Sequence, residues 1–199
     1  MVNFNEECFL ELPNKKNFSN DIREMESALT RIDSRGGTAM RDAIRVSIDH
    51  LLENASRDKK VLVLVTDGVD NASIISQENL IKVARQSGVL MYAVGLLEEE
   101  DRGDANRARR ELTGLAEATG GEVYFPKALS EVDHIDHVVA HDIRNQYTIQ
   151  YSPSNSAMDG TFRQIKIALN AAGHLTARTR SGYYSTPDQG KPTKGTSFR

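Results

Sequence analysis

The chain has 199 residues, of which 39% are hydrophobic, 27% charged and 6% aromatic, a globular composition large enough to bury a core. Its net charge is −3, from 25 basic and 28 acidic residues without a basic cluster, which excludes a phosphate-tracking nucleic-acid surface. No apolar run approaches the roughly 20 residues of a membrane helix. The single cysteine, Cys8, excludes an internal disulfide framework and a cysteine-based zinc site.

Val2 to Asn5 and Cys8 to Leu12 read as two short strands around a turn at Glu6-Glu7, so the chain opens on strand-like sequence rather than a secretory signal. From Phe18 to Ile32, apolar residues recur at three- and four-residue steps (Ile22, Met25, Leu29, Ile32), which predicts an amphipathic helix. Asp33 to Gly37 is a loop. Thr38 then opens a second helix, with Met40, Ile44, Ile48, Leu51 and Leu52 on one face. Val61 to Val65 is a continuous apolar run rich in β-branched residues, too short for a helix. That pattern predicts a parallel strand buried on both faces.

Ser76 is placed to cap a helix that runs to Ser87 and stops at Gly88. Val89 to Val94 is a second buried strand, followed by the acidic loop Glu98 to Asp104. Leu112, Leu115, Ala116 and Thr119 mark a further helix, ended by Gly120-Gly121. Val123 to Phe125 is a strand and Glu131 to Arg144 a helix. This alternation predicts an α/β fold, a mostly parallel sheet with helices on both faces. After Asn145 the helices stop. Tyr147–Tyr151, Phe162–Leu169 and Leu175–Tyr184 read as strands of an antiparallel appendage, and the polar tail after Pro187 as disordered.

In open parallel sheets, ligands sit beyond the carboxyl ends of the strands. Gly36-Gly37-Thr38 and Thr66-Asp67-Gly68 fall there, and their hydroxyl and carboxylate oxygens suit a hard cation such as Mg²⁺. The same residues are also accounted for by Thr38 as a helix cap and Asp67-Gly68 as a turn.

His134, His137 and His141 line one helical face, a spacing that could ligate Zn²⁺ or Ni²⁺. The helix's apolar residues lie opposite, so a solvated polar face is the better reading. Arg102-Gly103-Asp104 matches the tripeptide that integrins recognise and reads as chance in a charged loop. Cys8 alternates with Phe4 and Leu10 and reads as packing. The chain carries no Gly-x-Ser-x-Gly elbow, no phosphate loop and no Gly-x-Gly-x-x-Gly after a strand, so no catalytic residue is assigned.

Three segments together resemble the von Willebrand factor type A domain. They are Gly36-Gly37-Thr38-Ala39-Met40-Arg41-Asp42-Ala43, the Val63–Gly68 strand end, and Leu115-Ala116-Glu117-Ala118-Thr119-Gly120-Gly121. Gln146–Pro153 and Arg180-Ser181-Gly182-Tyr183-Tyr184 resemble a bacterial subgroup of that family, first noted in acidobacteria. The resemblance implies a doubly wound, Rossmann-like domain over residues 1–145, a β extension over 146–186 and a tail over 187–199. It further implies a protein-interaction module with a metal-ion-dependent adhesion site. There Mg²⁺ is held by an Asp-x-Ser-x-Ser loop, a threonine and an aspartate, and a partner's carboxylate completes the shell. Thr38 matches the threonine and Asp67 the aspartate.

The Asp-x-Ser-x-Ser loop has no match in the 199 residues. By the resemblance, the family's first strand would precede Met1, so the chain reads as N-terminally truncated. Thr38 and Asp67 should then hold Mg²⁺ weakly, and the sheet should lack its middle strand. A metal-dependent hydrolase using Asp67, or a non-functional fragment of a longer secreted protein, are the competing readings. The subgroup's full-length members look exported, whereas this sequence begins without a signal.

Overall fold

The computed structural model describes residues 1–30, 36–97, 102–170 and 176–186. Its centre is a parallel sheet of three strands in the order β3 (Val61–Thr66), β4 (Leu90–Gly95), β5 (Val123–Tyr124). β3 and β4 pair in register from Val61 opposite Leu90 to Thr66 opposite Gly95, and β5 joins at Ala93–Val123 and Val94–Tyr124. A separate antiparallel hairpin, β1 (Val2–Phe4) and β2 (Cys8–Leu10), opens the chain.

Side chains alternate across the strands, so each sheet face has its own core. On one face Leu64, Met91 and Ala93 pack against three helices. Met40, Ile44 and Ile48 come from α2 (Met40–Asn54), Leu80 and Ala84 from α3 (Gln77–Ser87), and Leu112 and Leu115 from α4 (Arg102–Thr119). On the other face Tyr92 and Val94 pack against Ile135 and Val139 of α5 (Val132–Arg144). The expected α/β architecture with helices on both faces is present.

β3 departs from the expectation of burial on both faces. Leu64 and Thr66 are buried, but Val63 is 48% and Val65 57% exposed. Two facts explain this. Among the described residues β3 has β4 as its one hydrogen-bonded neighbour. On the face of Val63 and Val65, α5 centres on β4 and reaches β3 at Val61. An apolar run signals what a strand can bury, not how much cover its neighbours supply.

Most element boundaries follow local signals. Ser76 accepts a hydrogen bond from Asn79 N at 3.3 Å as the cap of α3, and Gly88 ends that helix in the left-handed conformation at φ 67°. The first helix, α1 (Ile22–Leu29), is shorter than the expected Phe18–Ile32. Asp21 stops it at its start by accepting from Arg23 N at 2.9 Å, and Phe18 packs on His50 instead, ring centroids 5.3 Å apart. Ile32 and the loop residues Asp33-Ser34-Arg35 lie outside the described residues, as do Glu98–Asp101 of the acidic loop. Arg102-Gly103-Asp104 forms the first turn of α4 rather than loop.

The C-terminal part is a two-stranded antiparallel pair, β6 (Phe162–Gln164) and β7 (Gly182–Tyr184), shorter than expected. Tyr147–Tyr151 is not a strand: Tyr147 is 95% exposed and lies outside any sheet. Strand propensity becomes structure only where a partner edge and a packing surface are present. β6 and β7 have both. The Phe162 and Tyr184 rings meet edge-on at 5.3 Å, and Arg85 of α3 stacks over Phe162 at 4.7 Å. Arg178 ties the same region to the domain by ion pairs with Glu122 and Asp142. Leu175 and residues 187–199 fall outside the described residues.

Candidate functional site

Thr66-Asp67-Gly68 leaves the carboxyl end of β3, where the sheet's parallel strands point their ligand edge. The buried Thr66 hydroxyl accepts from Gly68 N at 3.3 Å, turning the chain sharply and leaving Asp67 exposed. Gly68 lies against Thr38: a Cβ on Gly68 would sit 3.4 Å from the Thr38 hydroxyl oxygen. The structure thus brings the two loops singled out in the sequence together, with Thr38 packed on the residue next to Asp67.

Thr38 is not the cap of α2. That position belongs to Ala39, whose side chain makes no capping bond, and Met40 is the first helical residue. The Thr38 main chain is instead engaged by the loop after β3. Its N–H donates to Asn71 Oδ1 at 2.7 Å, and its carbonyl accepts from Asn71 N at 3.1 Å and Ala72 N at 3.2 Å.

Around this contact the start of α2 and residues 70–75 are joined by side-chain bonds. Asp70, 1% exposed, accepts from Arg41 N at 2.7 Å, the Arg41 guanidinium at 2.8 Å and the Ser73 hydroxyl at 2.5 Å. Burial by itself raises the Asp70 carboxyl, but the Ser73 and Arg41 bonds and the Arg41 charge outweigh it and hold the group below the usual carboxylate range. Asp42 accepts from Ile74 N at 2.8 Å and Ile75 N at 3.0 Å. The loop is held to the start of α2 by two carboxylates, each satisfied by several donors.

Thr38 and Asp67 offer hard oxygen donors of the kind Mg²⁺ takes, and so fit part of an octahedral shell. Among the described residues no group of three or more histidine, cysteine, aspartate or glutamate side chains is arranged to hold a metal. His134, His137 and His141 are all exposed on α5, which packs on the opposite sheet face from α2. Burial pushes the half-buried Cys8 thiol up, and the charge of Asp42 pushes it further, so the thiolate a nucleophile needs is disfavoured.

Arg41 and Asp42 stand in the Gly36–Ala43 motif without an assigned role, and Asp70, Asn71 and Ser73 were not singled out in the sequence. A signal was there: Asp70-Asn71-Ala72-Ser73 is a run of turn-forming side chains directly after the strand end. Its partners lie about thirty residues earlier, and sequence pattern does not name them.

The model of the von Willebrand factor type A domain matches residues 1–138. An uncharacterized protein of Borreliella burgdorferi is 24% identical over 140 residues, which cover 70% of this chain and 40% of that protein. The structure is similar to a von Willebrand factor type A protein from Catenulispora acidiphila, with a TM-score of 0.57 and 17% identity over 91% of this chain and 44% of the other. A looser likeness, at a TM-score of 0.37, is to an uncharacterized membrane spanning protein from Vibrio fischeri. The chain therefore spans less than half the length of the Borreliella and Catenulispora relatives. Among the described residues no helix is long and apolar enough to cross a membrane. With the family model covering more than two-thirds of its length and the fold in agreement, the chain belongs to the von Willebrand factor type A family.

Proposed function

We propose that this chain is a protein-interaction module in which Thr38 and Asp67 supply part of a metal-ion-dependent adhesion site. Such domains are generally interaction modules. The observation that carries the reading is the packing of Thr38 against Gly68, beside the exposed Asp67 at the carboxyl end of β3. Mg²⁺ would take oxygen donors from both residues, with the remaining positions left to water and to a carboxylate of the protein ligand. The site is incomplete, because residues 1–199 contain no Asp-x-Ser-x-Ser loop.

The reading includes membership of the bacterial subgroup carried by Gln146–Pro153 and Arg180–Tyr184, with residues 1–145 as the interaction domain and 146–186 as its extension. No catalytic role is assigned.

Calorimetric titration with Mg²⁺ tests the site. The expected result is millimolar binding, on the order of −4 kcal/mol, weakened by either Thr38→Ala or Asp67→Ala. Micromolar affinity indifferent to both substitutions overturns it. Metal-dependent hydrolysis of a phosphoester or ester, abolished by Asp67→Ala, would replace the interaction module with an enzyme.

A further inference from the structure

We infer that Asn71 is the positioning residue for Thr38, and that Gly37 is glycine because only a missing Cβ admits Asn71 to that place. The inference rests on the metal reading of Thr38 proposed above. It adds residues outside the oxygen donors themselves.

Thr38 is neither in α2 nor its cap, so no regular structure sets its backbone. Its direction is set by three bonds to one short segment: Thr38 N to Asn71 Oδ1, and Asn71 N and Ala72 N to Thr38 O. Asn71 alone supplies both an acceptor and a donor to the same residue, one on each side of the Thr38 Cα. A residue held at both its N–H and its carbonyl has little freedom in φ and ψ. With the backbone set, the β-branched threonine side chain is limited to few χ1 rotamers. Asn71 thereby fixes where the hydroxyl lies relative to Gly68 and Asp67.

Gly37 supports this from the other side. A Cβ at Gly37 would lie 2.8 Å from Asn71 Oδ1, closer than such contacts occur, and 3.0 Å from Ala72 Cβ, tighter than nearly all of them. Even an alanine at Gly37 must push Asn71 away from the Thr38 N–H. Asn71 is itself held in place, because its neighbours Asp70 and Ser73 are tied to the first turn of α2 through Arg41 and Asp42. The hydroxyl's position is therefore inherited in part from the buried Arg41–Asp70 ion pair.

The test uses the full 199-residue chain and two readouts in ¹⁵N NMR. The first needs no metal: protection of the Thr38 amide from hydrogen exchange. Asn71→Ala and Gly37→Ala should each speed exchange at Thr38 by at least about tenfold, a local loss of one hydrogen bond, whereas Asn71→Asp, which keeps the acceptor, should preserve protection. The second is Mn²⁺ titration, read from paramagnetic broadening at Thr38 and Gly68. Asn71→Ala and Gly37→Ala should raise the midpoint by about tenfold, in the range that supporting residues of metal sites command.

If the unsubstituted chain shows no broadening at Thr38 and Gly68, the metal reading falls and the role of Asn71 toward it falls too. If the unsubstituted chain binds Mn²⁺ and both alanine variants bind alike with Thr38 still protected, the positioning role alone is overturned. Should Asn71→Ala fail to fold, Gly37→Ala carries both readouts, since it removes no hydrogen-bonding group.

Discussion

The carboxylate of Asp70 is fully buried and grips Arg41 twice, through its main-chain N–H at 2.7 Å and its guanidinium at 2.8 Å. One acid thus fixes both the first turn of α2 and the loop that follows β3. The arrangement gives Asp70 a part in stability and in the shape of the candidate site at once.

Asp70→Ala is expected to cost about 3 kcal/mol, the lower end for breaking a buried pair, because the Arg41 side chain keeps some contact with water. Since the folded carboxyl titrates below its unfolded value, the pair's contribution is complete above the unfolded value of about 4. It is lost as pH falls through the lower folded value. Chemical denaturation from pH 7 down to pH 2 checks this. The difference between the unsubstituted chain and Asp70→Asn should shrink toward the acid end, and a pH-independent difference would contradict the linkage.

On the edge of β3 that pairs with no strand among the described residues, Val63 and Val65 expose apolar surface, the combination that invites edge-to-edge association. Val65→Lys should lower the light scattering of concentrated solutions while changing unfolding free energy by less than about 1 kcal/mol, because the side chain is more than half exposed already. A loss of several kcal/mol would show that Val65 is covered in solution.

Arg178 joins the C-terminal segment to the domain through Glu122 on the approach to β5 and Asp142 on α5. All three side chains keep contact with solvent, so Arg178→Ala should cost no more than about 1 kcal/mol. Its effect should be local: faster limited proteolysis after residue 145 with the domain's unfolding transition nearly unmoved. The buried Tyr92 reports the same event. Burial holds its hydroxyl above the usual tyrosine value and the charge of Asp142 adds to this, while a hydrogen bond with Gln146 and the charge of Arg178 oppose them. Removing Arg178 should therefore move the Tyr92 titration further upward in a spectrophotometric pH series.

Much of the architecture was legible in the sequence because its causes are local. The Val61–Val65 run, the Ser76 cap, the Gly88 stop and the three- and four-residue apolar steps in α2 each state a preference within a few residues. Thr38 and Asp67 could be nominated the same way, from a motif and from the rule that ligands gather at the carboxyl edge. Cover and pairing could not be read. That Val63 and Val65 are exposed depends on where α5 lies, and Tyr147–Tyr151 joins no sheet among the described residues. The residues that hold the site, Arg41, Asp42, Asp70 and Asn71, meet across about thirty positions of chain, between the start of α2 and the loop after β3. Their identities permit many hydrogen bonds, and only the packing of α2 and β3 into one core selects these. Local pattern determines which elements can form, whereas contacts distant in sequence exist only once the apolar faces have closed.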